Sequence, residues 1–132
     1  VFASLARQIR RYGEPWRAPV ALLSGGELTV TVRGRGRGGR CSAFLLALAI
    51  ELEGMEGVHA LACDTDGIDG SEDNAGAWMS PDSLQRAQAL GCDAQQYLDR
   101  HDAWGWFSAL DNLIVTGPTR TNVNDYRIIF LE

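Results

Sequence analysis

The sequence predicts an α/β domain: a mixed β-sheet flanked by helices. Three observations predict it. Stretches with apolar residues at helical spacing alternate with short strand-like runs. Two of those runs, 19–24 and 27–33, are separated only by Gly25-Gly26, which reads as a hairpin and adds an antiparallel pair to the sheet. The chain has 132 residues and is 45% hydrophobic, which suffices for one sizeable core.

The elements follow in order. Phe2, Leu5 and Ile9 give FASLARQIRRY a helical spacing, and Gly13 and Pro15 stop it. PVALLSGG reads as a short buried strand. ELTVTVRG alternates Leu28, Val30 and Val32 against Thr29, Thr31 and Arg33, a half-buried strand. CSAFLLALAIELEG is apolar almost all round and reads as a buried helix closed by Gly54. GVHALACDTDG is a strand running into an acidic loop. SPDSLQRAQALG is a helix with Ser80 as N-cap, Pro81 at its first position and Gly91 at its end. AQQYLDRH and AWGWFSAL are short helices, NLIVTGPT is a strand into a loop, and YRIIFLE is the last strand.

Charge and cysteine content narrow the function classes. The net charge of -5 opposes general nucleic-acid binding, which needs a basic face. Three widely spaced cysteines, with no CxxC pair, argue against a disulfide framework or zinc site and for a reducing, cytoplasmic setting. No apolar run approaches the roughly 18 residues of a membrane span. The chain opens at Val1 inside a helical pattern, which reads as a piece of a longer polypeptide.

The unusual stretch is TVRGRGRGGRCSAF, residues 31–44, four arginines among glycines between a strand and a helix. It is too short and isolated for an RGG-type RNA-binding segment. Gly34, Gly36 and Gly39 satisfy GxGxxG, but the preceding strand carries threonines where a dinucleotide fold has an apolar central strand. Gly34 and Gly39 have the GxxxxG spacing of a phosphate loop, yet Arg40-Cys41 replaces the Lys and the Ser or Thr that such a loop requires. Two readings stay open. One is an anion site, with glycine N–H groups, a helix N-terminus and the planar fork of Arg40. The other is a solvated connector.

Three more loops can carry chemistry. SGGE, Ser24 to Glu27, is a hairpin turn or a set of N–H groups beside a ligand. DTDGIDGSED fails as an EF-hand, because Ile68 and Asp69 stand where a ligand and the glycine belong. Its Asp64, Asp66 and Asp69 could hold magnesium beside phosphates, or could satisfy their own backbone as a polar turn. TGPTRTNVNDYR, Thr116 to Arg127, offers uncharged donors and acceptors between two strands. His59 and His101 lack a telling partner and read as structural. Cys41 sits at a helix start beside Arg40, but no partner marks it as a nucleophile. Trp104, Trp106 and Phe107 read as core or interdomain surface.

LSGGELTVTVRGRGRGGR, DTDGIDG and TGPTRTNVNDYRI, in this order, resemble the C-terminal (MOFRL) domain of the glycerate 2-kinases, whose members are also labelled hydroxypyruvate reductase. The resemblance runs from about Pro19 to Leu131. It implies that residues 1–18 are a helix and linker left from the join to a missing N-terminal domain, and that 19–132 form the MOFRL-like domain. It further implies ATP-dependent phosphorylation of D-glycerate to 2-phosphoglycerate, with Mg2+, in a cleft between two domains, the first supplying a lysine. By resemblance Arg40 is the catalytic candidate. Ser24, Gly25, Gly26, Glu27, Gly38, Gly39, Thr116, Gly117, Thr119, Thr121, Asn122, Asn124 and Asp125 are the substrate- or phosphate-binding candidates, and Asp64, Asp66 and Asp69 the metal candidates. The expected partners are the missing domain, D-glycerate and ATP, without nucleic acid or membrane; a homodimer is left open. Cys41-Ser42-Ala43 departs from the family's Asn-Gln-Glu, and Leu28 from its Thr. An NAD(P)H-dependent reductase and a non-catalytic binding domain are the alternatives.

Overall fold

In the computed structural model, residues 2–26, 39–64, 67, 74–116 and 125–132 are described. Helix α1 (Phe2–Tyr12) buries Ala3, Ala6 and Ile9 along one face, while Phe2 packs edge-on against Phe44 at 5.6 Å between ring centroids. Gly13 ends the helix at φ +64°, and its N–H donates to the Ile9 carbonyl at 2.9 Å. Strand β1 (Val20–Gly26) follows.

Helix α2 (Arg40–Leu52) is the central helix and buries Cys41, Ser42, Leu45, Leu46, Leu48, Ala49 and Leu52. Each buried leucine contributes roughly 1.5–3 kcal/mol. Glu53 takes the left-handed conformation one residue before the expected stop at Gly54, and its N–H reaches the carbonyls of Ala49 and Ile50. Strand β2 (Val58–Asp64) and strand β3 (Gly76–Met79) pair next. Three short helices follow: α3 (Ser83–Ala89), α4 (Ala94–Asp99) and α5 (Ala103–Ala109). Strands β4 (Leu113–Ile114) and β5 (Asp125–Leu131) complete the fold. Two of the three aromatic residues belong to the core: Trp106 and Phe107 are fully buried in α5, with their rings edge-to-face, while Trp104 is half-buried.

The five described strands lie in the order β1-β5-β2-β3-β4. Every described pairing is antiparallel. The alternation of strands and helices nonetheless left its mark. The β1-α2-β2 unit sets β1 and β2 in the same direction, and the C-terminal strand β5 is inserted between them, antiparallel to both. The parallel pair expected in a mixed sheet is thereby separated by one strand.

Three local expectations are corrected. Gly25 and Gly26 are strand residues of β1, opposite Tyr126 and Asp125, rather than a hairpin turn. Helix α3 begins at Ser83, because residues 80–83 form a turn in which the Ser83 N–H donates to the Ser80 carbonyl at 3.1 Å. Asp125 opens β5 and is not a loop residue. The expected strand over 27–33 lies outside the described residues.

Side chains of one sheet face meet the helices. Val20, Leu131 and Val58 make one cross-strand row; Leu22, Ile129, Ala60 and Met79 make the next. The opposite face runs Leu23, Ile128, Leu61, Trp78 across four strands, and Leu23 there is 75% exposed. Among the described residues no helix is long and apolar enough to cross a membrane.

Candidate functional site

The helix-covered face changes character at one end of the sheet. The row Ser24, Arg127, Ala62 is followed by Gly26, Asp125, Asp64. A strand repeats its facing every second residue, so Asp125 and Arg127 share the face that Ile129 and Leu131 fill with hydrocarbon. Arg40, the first residue of α2, packs onto this end. Its Nε donates to Asp125 Oδ2 at 2.5 Å, and its Nη2 donates to Asp64 Oδ2 at 3.1 Å. One arginine fork thus joins the two β-strands to the central helix.

Burial makes this cluster more than a surface ion pair. The side chain of Asp125 is fully buried and that of Asp64 is 8% exposed, while Arg40 is 29% exposed. Two buried carboxylates need a nearby cation, because an ionised group removed from water without a partner is costly. Gly39 precedes Arg40 in an extended conformation and, as a glycine, supplies no side-chain cap. The N-terminus of α2, with its positive dipole end, therefore lies at the arginine-carboxylate cluster.

A second arginine lies in the row beneath. Arg127 is 5% exposed. Its Nη2 donates to Ser24 Oγ at 3.3 Å and to the Gly25 carbonyl at 3.2 Å, and its guanidinium sits 5.4 Å from the centre of the Phe44 ring. Its Nε and Nη1 are buried and have no hydrogen-bond partner among the described residues, nor has Asp125 Oδ1. Arg127 was not among the sequence candidates. The signal was present: Asp-Tyr-Arg at a strand start puts two opposite charges on one face of an otherwise apolar-inward strand.

Of the sequence candidates, Arg40, Asp64 and Asp125 are in direct contact, Gly26 shares the row of the two aspartates, and Ser24 and Gly25 join through Arg127. Gly39 adjoins Arg40, and Thr116 is exposed just beyond β4. Glu27, Gly34, Gly36, Gly38, Asp66, Asp69, Gly117, Thr119, Thr121, Asn122 and Asn124 lie outside the described residues. Among the described residues no three His, Cys, Asp or Glu side chains converge as a metal site. His59 Nε2 lies 2.5 Å from Glu132 Oε1, and Cys41 is buried. On the opposite sheet face, burial and a hydrogen bond with Cys63 raise the Tyr126 phenol above its usual value.

The chain can now be set beside known proteins. The MOFRL family model matches residues 20–125. A protein of Agrobacterium vitis named "Putative hydroxypyruvate reductase" is 53% identical over 133 residues, covering 99% of this chain and 34% of its own length. The D-glycerate 2-kinase of Thermotoga maritima is 41% identical over 123 residues, covering 93% of this chain and 30% of its own length. The crystal structure of glycerate kinase from Thermotoga maritima superimposes with a TM-score of 0.95 at 39% identity, across 99% of this chain and 32% of that one. The chain therefore spans about a third of the length of these relatives. Their match extends across nearly all of its residues, on the same fold, and the chain belongs to the MOFRL family.

Proposed function

We propose that this chain supplies one wall of the phosphotransfer site of a glycerate 2-kinase-like enzyme, which phosphorylates D-glycerate to 2-phosphoglycerate with ATP and magnesium. The observation that carries the reading is the Arg40–Asp64–Asp125 cluster at the N-terminus of α2. Phosphoryl transfer asks little covalent chemistry of a protein and much positioning and charge stabilisation. A guanidinium held in place by two carboxylates is preorganised for an oxyanion, whether the carboxylate of glycerate or the phosphoryl group in flight. The Asp64 contact keeps the guanidinium at the helix N-terminus, which lowers the entropy cost of bringing it to an anion.

The chemistry of the aspartates also suits a hard divalent cation, which takes oxygen ligands and commonly only one or two protein carboxylates. Asp64 is the described candidate, with Asp66 and Asp69 following it. Magnesium bound there would neutralise charge on the phosphates. The remaining wall, including a lysine, would come from a domain this chain does not contain. On this reading residues 1–18 form the helix and linker of the join.

The name borne by the Agrobacterium vitis relatives supports a second reading, a nicotinamide-dependent reductase. The sheet gives it less support, since a dinucleotide fold binds its cofactor across adjacent parallel strands and the described pairings are all antiparallel. The kinase reading is tested by phosphoglycerate formation in the full-length polypeptide and its Arg40→Lys variant. A lysine keeps the charge but cannot fork to both aspartates. Turnover reduced by roughly a hundredfold or more, with the fold retained, is expected. An unchanged rate would remove Arg40 from the site.

A further inference from the structure

The charges at this end of the sheet are unevenly shared. Two buried carboxylates, Asp64 and Asp125, both place an oxygen on Arg40. Arg127 carries a second buried positive charge two residues along β5 from Asp125, yet among the described residues it bonds only neutral acceptors, Ser24 Oγ and the Gly25 carbonyl. Its Nε and Nη1 and the second oxygen of Asp125 are each buried and unpartnered among the described residues. Leaving donors of a charged group and a carboxylate oxygen without partners on one strand face is costly, so the arrangement calls for a state that uses them.

We propose that Arg127 is a positioning residue for Arg40: it takes over Asp125 as counter-charge when Arg40 turns from that carboxylate toward an incoming oxyanion. The inference rests on the reading that Arg40 meets an anionic substrate. Without Arg127, withdrawing Arg40 would strand a fully buried carboxylate. With it, the exchange moves Asp125 from one guanidinium to the other, and the charge of the cluster stays balanced. Asp125 is within reach because alternate residues on a strand lie about 6.6 Å apart, less than the length of an extended arginine side chain. The cost of freeing Arg40 falls accordingly, and the saving appears as affinity for the anion.

The test uses the full-length polypeptide and titrates D-glycerate and, separately, inorganic phosphate by calorimetry, alongside steady-state kinetics. Four forms are compared: wild type, Arg127→Gln, Arg127→Lys, and Arg127→Gln with Asp125→Asn. The expected result is that Arg127→Gln weakens anion binding, and raises KM, by about tenfold with a smaller change in kcat. Arg127→Lys should restore most of the loss. The double variant, which removes the stranded carboxylate together with its partner, should bind more tightly than Arg127→Gln alone. If Arg127→Gln folds poorly, the double variant against Arg127→Lys poses the same question in a charge-balanced form. Anion affinity that is the same in all folded variants, or lost equally with lysine and glutamine at 127, overturns the proposal. Calorimetry separates this failure from failure of the kinase reading, because anion binding is read whether or not a phosphate is transferred.

Discussion

At the scale of the residue, Arg40 neutralises Asp64 and Asp125, and on the proposed reading it also meets an anion, two demands that pull in different directions. Arg40→Ala leaves both carboxylates buried without their direct cation. The expected cost is about 3 kcal/mol, at the low end for a broken buried pair because Arg40 itself is 29% exposed. Urea unfolding of the variant beside wild type reads it, and a loss below about 0.5 kcal/mol would show that the aspartates do not depend on Arg40. Much of this site was legible in the sequence. Arg40 stands out as the arginine that a glycine-rich run delivers to a helix start, and Asp64 as the acid closing an apolar strand. Arg127 was not legible from spacing to Arg40, since 87 residues of sequence separate two side chains that only the β5 insertion brings to the same end of the sheet.

At the scale of the element, strand β3 shows what pattern alone misses. GAWM is four residues long, begins with glycine and buries every residue except the exposed Trp78, so neither length nor periodicity announces a strand. What defines it is close approach: a Cβ at Gly76 would lie 1.9 Å from the Ala62 carbonyl oxygen of β2. No side chain is compatible with that backbone contact. Gly76→Ala is therefore expected to cost about 3 kcal/mol or more, as the β2–β3 pair is forced apart. A midpoint of urea unfolding within error of wild type would show that β3 can shift freely. Helices α1 and α2 and strand β2 were legible because their signals are long or clearly bounded. Phe2, Leu5 and Ile9 repeat at helical spacing, and Gly13 and Gly54 punctuate where the backbone turns left-handed. The hairpin expected at Gly25-Gly26 failed for the opposite reason: two glycines are permissive rather than directive, and the partner strand β5 holds them extended.

At the scale of the molecule, the sheet gathers the ends of β1 and β2 and the start of β5 beside the start of α2, so four distant segments converge on one polar cluster. The chain covers about a third of its relatives, and the proposed reaction needs a facing wall. The 132-residue chain alone is accordingly expected to show no ATP-dependent phosphorylation of D-glycerate; turnover by the isolated chain would contradict the two-walled site. The central claim is that this cluster serves phosphoryl transfer and not hydride transfer. The most direct measurement is product analysis on the full-length polypeptide by phosphorus NMR, with D-glycerate, ATP and magnesium in one reaction and hydroxypyruvate with NADH or NADPH in another. The expected result is 2-phosphoglycerate in the first and no nicotinamide oxidation in the second. Nicotinamide oxidation without any phosphorylated product would contradict it.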